Sequence, residues 1–337
     1  MRMVAPLALM LLTGSFARSA SFDCAKAKTP QEKAICSLPQ LSAADDQLEV
    51  SYRSALAAVP ADMREPTRDS QRSWLRAVAI ECQAGEPGSA ESLPGCMLRF
   101  YQERTSFLAH LVFKMGGVTF VWHSDAGAAP AIKETDNPRP QPTLWTSAWP
   151  QALSNAPEWR AWNTAIEELV KDPPGSEGGE GPGEVGMDTD VVVTVDFVSP
   201  QLVSASVSNM WYGHGAAHPN LDFIELNWLL KENREITADD VFRPHTGWEQ
   251  LLASQCDEAA REQLGDAYAD DPPPGKIPDA MFGIVSSPHS WKIDGDGITV
   301  VFAPYEIGCH ACTPNPVTVP WSALRPFLTP KFAVFAK

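Results

Sequence analysis

The N-terminal part of the chain contains the stretch FDCAKAKTPQEKAIC at residues 22–36, which places two cysteines around a helix start. Thr29 stands immediately before Pro30, a residue that suits the first position of a helix, and Glu32 follows three residues after Thr29. This spacing is that of a capping box, in which the two side chains hydrogen-bond the free N–H groups at the helix start. It predicts a short helix that runs to about Cys36.

Further helices follow toward the C-terminus of this segment. Ser42 is predicted to cap a second helix, a third is predicted over Ser70–Cys82 and a fourth over Cys96–Leu111. Their apolar residues recur at helical spacing: Leu48, Tyr52, Ala55, Leu56, Val59, Trp74, Leu75, Val78, Phe100, Phe107, Leu108 and Leu111. We therefore predict a small all-α domain over residues 21–112.

Residues 1–20 have the pattern of a secretory signal peptide. Arg2 supplies the positive start, Val4–Leu12 is a short apolar run, and small residues suitable for cleavage follow at positions 15–19. The run is too short to span a bilayer, and no later stretch approaches the necessary length of about 20 residues. The sequence thus predicts an exported protein, periplasmic or secreted, with no membrane span.

Export determines how the cysteines are interpreted. Outside the reducing cytosol, close cysteine pairs in a small helical segment favour disulfides over metal or redox ligands. Four cysteines lie in the first hundred residues, Cys24, Cys36, Cys82 and Cys96, and four cysteines allow three pairings. We predict that all four are oxidised.

The same segment resembles the LprI-type lysozyme-inhibitor domain. The resemblance is carried by residues 22–27, 32–36, 45–52 and 71–75, and by a final set of single positions: Leu41, Cys82, Cys96, Tyr101, Arg104 and Leu108. It implies binding to lysozyme. With it we predict the pairs Cys24–Cys36 and Cys82–Cys96.

Composition changes after Lys114, and residues 113–337 are predicted to form a larger α+β domain. Amphipathic helices are predicted around residues 159–170 and 248–264, and residues 172–187 are predicted to be a flexible loop. The predicted strands, which alternate or are rich in β-formers, complete an antiparallel sheet: 118–122, 189–198, 201–212, 221–230, 282–285, 291–293, 298–302 and 317–321. Asp296-Gly297 predicts a turn between two of them.

This larger segment resembles the lysozyme-sensing domain of RsiV-like anti-sigma factors, which is also an accessory domain of peptidoglycan deacetylases. The resemblance is carried by residues 212–220, 236–242, 298–307 and 317–321, with an inserted-looking His214 in the glycine turn. The sequence shows neither a sigma-binding region nor a deacetylase domain. The resemblance therefore implies lysozyme recognition without signalling through a sigma factor.

The turn at residues 212–220 supplies the candidate binding residues Trp211, Tyr212, His214, His218 and Asn220. Two histidines four residues apart would face one metal on a helix. Gly213, Gly215 and Pro219 instead predict a turn, and no third ligand stands nearby, so we predict no metal site.

Cys309-His310-Ala311-Cys312 has the spacing of thiol oxidoreductases, but it lies between two predicted strands and not at a helix start. A structural disulfide involving Cys309 and Cys312 is the better interpretation, either within the pair or from Cys256 to one member. Seven cysteines are an odd number, so one thiol is left over.

The sequence contains no motif that predicts a catalytic centre. It contains no nucleophile elbow, phosphate loop, metalloprotease helix or dinucleotide fingerprint. The acidic pairs Asp239-Asp240 and Asp270-Asp271 could resemble glycosidase carboxylates, but their turn and loop contexts predict solvated side chains. We predict a protein that is not an enzyme and uses no cofactor.

The chain is acidic, with a formal net charge of −16. Removing Arg2 and Arg18 with the leader leaves 24 basic against 42 acidic residues, a charge of −18. This charge excludes nucleic acid as a partner and favours a basic protein, although it also serves solubility. The predicted function is binding, and in its stronger form inhibition, of lysozyme-type muramidases in the cell envelope. The alternative is a peptidoglycan- or glycan-binding envelope module without catalytic activity.

Overall fold

The computed structural model describes residues 20–82, 92–131, 141–171, 186–265, 268 and 276–334. Its N-terminal part contains four α-helices. They are α1 (Pro30–Ser37), α2 (Pro39–Ala58), α3 (Arg64–Glu81) and α4 (Leu93–Ala109). Disulfides join Cys24 to Cys36 and Cys82 to Cys96, which confirms the predicted pairing. The helices enclose an apolar core that includes Leu41, Trp74 and Met97.

The start of α1 follows the predicted capping box. Thr29 Oγ1 accepts the Glu32 N–H at 3.1 Å, and the Glu32 carboxylate accepts the Thr29 N–H at 2.9 Å. The predicted cap at Ser42 was wrong, because Pro39 already begins α2 and Ser42 N–H bonds the carbonyl of Leu38 inside the helix. Helix α3 likewise begins at Arg64, six residues before the predicted start.

A seven-stranded sheet follows, with the strands in chain order from β1 to β7. Its strands are β1 (Val112–Met115), β2 (Val118–Ala129), β3 (Thr143–Ala152), β4 (Met187–Val198), β5 (Leu202–Gly213), β6 (Asn220–Leu229) and β7 (Arg234–Glu235). All neighbours pair antiparallel except β3 and β4, which are parallel. The connection between them contains α5 (Pro157–Lys171), whose Trp162 and Ile166 are fully buried in the core beside the sheet.

The other elements form a smaller layer. Strands β8 (Trp291–Ile293), β9 (Gly297–Val300) and β10 (Val317–Pro320) make a three-stranded antiparallel sheet. The turn between β8 and β9 covers residues 294–296, so of the predicted pair Asp296 lies in the turn and Gly297 begins β9. The helices are α6 (Ala238–Val241), α7 (Trp248–Leu264), α8 (Asp279–Ser286) and α9 (Trp321–Leu324). Helix α7 has the predicted bounds. The predicted strand at 282–285 was wrong: Met281, Ile284 and Val285 are the buried positions of α8, a helical spacing.

The small sheet is fixed to the large one through Asn227. Its side chain accepts the Ser204 hydroxyl at 2.9 Å and donates to the Trp291 carbonyl at 2.5 Å, so β5, β6 and β8 meet at one buried amide. The α+β fold class, with a disulfide-linked helical part and a larger part built on an antiparallel sheet, is confirmed. The boundary between residues 112 and 113 stays a prediction.

The buried guanidinium of Arg104 joins the helical part to the sheet. It donates at 2.9 Å to Gln71 and Ser70 of α3 and at 2.9 Å to Ser124 of β2. Burial lowers the pKa of Arg104 to about 10, so the side chain remains charged at neutral pH. One side chain therefore holds α4, α3 and β2 together.

Replacing Arg104 by lysine is expected to cost about 1–2 kcal/mol of unfolding free energy, because an ammonium on a thinner stem cannot reach all three acceptors. Urea unfolding at pH 7 measures the loss. The control is Arg76→Lys on the exposed face of α3, which should change little. Equal stability of the two variants would show that the Arg104 hydrogen bonds contribute nothing net.

Three predictions fall outside the described residues. They are the signal peptide, of which residues 1–19 are not described, most of the predicted loop at 172–187, and the acidic pair Asp270-Asp271. Among the helices that are described, none combines the length and apolar character needed to cross a bilayer.

Candidate functional site

The β5–β6 hairpin carries all five residues that the sequence predicted for binding. Trp211 pairs with Asn220 across the hairpin, and Trp211, Tyr212 and Asn220 are half-buried. The turn passes through Gly215, whose φ of +93° lies in the left-handed region that favours glycine. Only part of the predicted group therefore reaches solvent.

His214 is a structural residue of this turn. Its side chain is 6% exposed, and its Nε2 lies 3.1 Å from Asp188 Oδ1 on β4. The same carboxylate oxygen accepts the Leu144 N–H of β3 at 2.8 Å. His214 thus ties the end of the hairpin to β4 and is poorly placed to contact a partner.

His218 has both ring nitrogens occupied. Nδ1 lies 3.0 Å from the Pro219 carbonyl, which can only accept, so Nδ1 carries the proton. In the neutral ring Nε2 then accepts the Tyr305 hydroxyl at 3.1 Å. The ring also stacks on His310, with 4.1 Å between centroids.

Tyr305 and His310 come from the loop between β9 and β10 and lie over the hairpin. The disulfide Cys309–Cys312 closes a short turn within this loop, and the Glu306 carboxylate accepts the Ala303 N–H at 2.7 Å. Cys256 is the free, buried cysteine of the described residues. We call the resulting cluster of Tyr212, His214, His218, Tyr305 and His310 the histidine corner.

The backbone of Tyr305 is strained. Its φ is +71°, a conformation that costs a residue with a Cβ about 1–2 kcal/mol, and its side chain stands in solvent with 56% of the residue exposed. Strained residues cluster at functional sites, which makes Tyr305 a candidate contact residue. His310 Nε2 is buried and has no hydrogen-bond partner among the described residues.

The structure therefore brings together two segments that are distant in the chain, since Tyr305 lies 87 residues after His218. The hairpin residues were predicted, whereas Tyr305 and His310 were not among the predicted binding residues. The available signals were the Pro304-Tyr305 dipeptide after a strand and the histidine inside the Cys309–Cys312 pair. Neither signal says that the loop folds back over the hairpin.

The histidine corner does not assemble a metal centre. His214 and His218 engage different partners, and the described part of the chain contains no group of three His, Cys, Asp or Glu residues placed to hold a metal ion. What the corner presents is an exposed phenol ring beside two stacked imidazoles, a surface suited to contacts with another molecule.

The two residues of the acidic pair Asp239-Asp240 have different environments: Asp239 is exposed, and Asp240 is hydrogen-bonded. The prediction that both side chains are solvated was wrong for Asp240, which is 13% exposed, accepts Arg234 at 2.7 and 2.8 Å and accepts the Thr237 N–H at 2.8 Å. Arg234 and Thr237 hold the pKa of Asp240 well below its usual range. The carboxylate caps α6 and pairs with β7.

Replacing Asp240 by asparagine is expected to cost about 1–2 kcal/mol at pH 7, since it removes a capping carboxylate and a two-pronged arginine contact. A lowered pKa in the folded state means that this contribution is present above the unfolded pKa of about 4 and is lost as pH falls further. Urea unfolding at pH 7 and pH 3 measures both effects. Asp239→Asn, at an exposed neighbour, is the control, and a penalty that persists unchanged at pH 3 would contradict the ionic origin.

Comparison with known proteins gives two family matches. Residues 24–108 match the model of a family described as lysozyme inhibitor LprI, and residues 239–322 match that of DUF3298, described as a protein of unknown function. The predicted N-terminal resemblance is confirmed, and the C-terminal one is confirmed as a DUF3298 match. Lysozyme sensing by the second part stays a prediction. No curated protein matches the chain.

Two solved structures of DUF3298 family members are similar to this chain. One, from Bacteroides fragilis NCTC 9343, is 17% identical with a TM-score of 0.48 and covers 67% of this chain and 99% of its own. The other, from Pseudomonas aeruginosa PAO1, is 12% identical with a TM-score of 0.46 and covers 64% of this chain and 96% of its own.

Proposed function

We propose that the protein is an exported, noncatalytic binder of lysozyme-type muramidases that inhibits them by covering the sugar cleft. The observation that carries the proposal is the match of residues 24–108 to a lysozyme-inhibitor family, with both of its predicted disulfides formed. Three disulfides in the described residues suit an oxidising compartment outside the cytoplasm.

Charge supports a basic partner. The chain has a formal net charge of −16, and long-range attraction between opposite charges speeds the encounter of two proteins. Such attraction weakens as salt is added, because the screening length at physiological ionic strength is about 8 Å. Binding is therefore expected to weaken between low and high salt.

The histidine corner supplies a second contact surface for the proposed partner. Tyr305 projects from the loop between β9 and β10, and its hydroxyl hydrogen-bonds His218 of the hairpin. A rigid, exposed tyrosine loses little conformational freedom on binding and is a frequent anchor of protein interfaces. The corner thus suits insertion into a cleft of the partner.

The proposal is tested with purified mature protein and a panel of muramidases of different structural types at moderate salt. We expect micromolar or tighter binding to at least one enzyme by calorimetry, and a matching loss of its lytic activity at equal molar amounts. If the folded protein binds none of the panel with about micromolar affinity or tighter, the proposed function is wrong.

The alternative is an envelope module that binds peptidoglycan or another glycan. The observation in its favour is the exposed Tyr305 ring next to the stacked rings of His218 and His310, since sugars stack on exposed aromatic surfaces. Cosedimentation with purified peptidoglycan separates the two functions, because an acidic binder of basic proteins has little reason to follow the polymer. Sedimentation that Tyr305→Ala abolishes would favour the glycan.

A further inference from the structure

A groove opens between the polar face of the seven-stranded sheet and the small sheet. Its volume is about 330 Å³. Val192 and Phe223 on one side, and Val301 and Pro316 on the other, form apolar walls, while Ser206 and Glu225 lie at its base. Glu225 is 3% exposed, which makes it a deeply buried acid.

The base of the groove is built by strand pairing. Ser206 of β5 stands directly opposite Glu225 of β6. A register shift between Val195 and Phe197 marks a bulge in β4, and Asp196 at that bulge turns its carboxylate toward Ser206. Bulges often redirect a side chain in this way beside functional sites.

Two carboxyl groups share one hydroxyl at the base of the groove. Ser206 Oγ lies 2.5 Å from Asp196 Oδ2 and 2.8 Å from Glu225 Oε2, yet a serine hydroxyl carries a single proton. Lys292 of β8 donates to Asp196, so Asp196 has a donor that does not come from Ser206. For Glu225, the described residues offer only the neutral Ser206 hydroxyl as a donor, which is weak support for a buried carboxylate.

The charges do not balance when both acids are ionised. Asp196 from β4 and Lys292 from β8 are the charged groups that face Glu225, and the other residues around the groove from β4, β5 and β9 are uncharged. Two carboxylates then face one ammonium. Burial, reinforced by the Asp196 charge, raises the pKa of Glu225 to about 7, so a proton takes the place of the missing cation.

We propose that this groove receives the aliphatic stem and cationic head of a lysine or arginine side chain from a basic partner protein. The stem lies along Val192, Phe223 and Val301, and the head replaces the proton on Glu225. This inference rests on the proposed function, because it names the group of the basic partner that the groove takes. Apolar walls above a buried acid suit an alkyl cation better than a hydrated metal ion.

The first test uses n-butylammonium chloride as the probe and needs no partner protein. The side-chain carboxyl carbon of Glu225 is followed by NMR against pH in protein labelled at glutamate, with Glu225→Gln giving the assignment. We expect the probe to lower the titration midpoint by about one pH unit, a tenfold change in proton affinity, while sodium chloride at equal ionic strength does not. An equal shift with both salts would overturn the groove as a site for alkyl cations.

The second test uses a muramidase that binds the wild-type protein. Calorimetry at pH 7 in two buffers of different ionisation enthalpy measures the protons released on binding. We expect release of about half a proton from wild-type protein, as befits a group with a pKa near the working pH, and none from Glu225→Gln. The variant should bind about tenfold more weakly.

The outcomes separate the two proposals. Tight binding with no proton release, and equal affinity of Glu225→Gln, would refute the groove and leave the muramidase function intact. Absence of binding to every muramidase would refute that function, while the titration with n-butylammonium still decides whether the groove accepts an alkyl cation.

Discussion

Replacing Tyr305 by glycine is expected to weaken muramidase binding about thirtyfold, equivalent to about 2 kcal/mol, without making the protein less stable than the alanine variant. The loss of affinity follows from removing an exposed aromatic side chain that a hydrogen bond to His218 positions at the histidine corner. The gain in stability relative to alanine, about 1 kcal/mol, follows from the φ of +71°, which glycine adopts without strain.

Three variants separate the contributions. Tyr305→Ala keeps the strain and loses the ring, Tyr305→Gly loses both, and Tyr305→Phe keeps the ring and removes the hydroxyl that donates to His218. Calorimetric affinities and urea unfolding of all three give the answer. If Tyr305→Gly binds muramidase as tightly as wild type, the histidine corner is not a contact surface. That result would leave binding by residues 24–108 unaffected.

The elements that the sequence predicts well are those whose signals are local. The capping box at Thr29 and Glu32 needs only four consecutive residues, and it marks the start of α1 correctly. The amphipathic pattern over α7 likewise has both ends where apolar spacing starts and stops. The predicted cap at Ser42 was wrong because a residue that suits a cap has no such role once Pro39 has already begun the helix.

Of the histidine corner, only the hairpin residues could be predicted from the sequence. Residues 212–220 form a hairpin whose turn residues are consecutive, so the sequence indicates their proximity. Tyr305 reaches His218 because the β9–β10 loop folds over the hairpin, a tertiary contact that no local pattern encodes. The same holds for His214, whose burial against Asp188 depends on the pairing of β4 with β5.

The environment of Glu225 also depends on tertiary contacts that local sequence does not encode. In the sequence it is one polar residue in an alternating strand, which indicates a solvent-facing side chain. Its burial depends on the small sheet that covers this face. Asp196, which shares the Ser206 hydroxyl with it, is oriented by a bulge that appears only when the register of β4 and β5 is known. The raised pKa of Glu225, about 7, therefore could not be predicted from the sequence alone.

Replacing Glu225 by glutamine is expected to stabilise the protein by about 3–4 kcal/mol at pH 8 and to have little effect at pH 4.5. The folded-state pKa of about 7 lies above the unfolded value of about 4.3. A raised pKa means that the stability contributed by this group is fully present below the unfolded value and is lost as pH rises through 7. Glutamine, which resembles the protonated acid in shape and donates to Ser206 Oγ, does not titrate.

The measurement is urea unfolding of both proteins at intervals from pH 4.5 to pH 8.5, with Glu258→Gln on the exposed face of α7 as the matched control. The difference between Glu225→Gln and wild type should grow across this range and level off above pH 8, while the control difference stays flat. A constant difference would mean that Glu225 ionises as easily in the folded chain as in the unfolded one, and that the groove holds no proton for a partner's cation to displace.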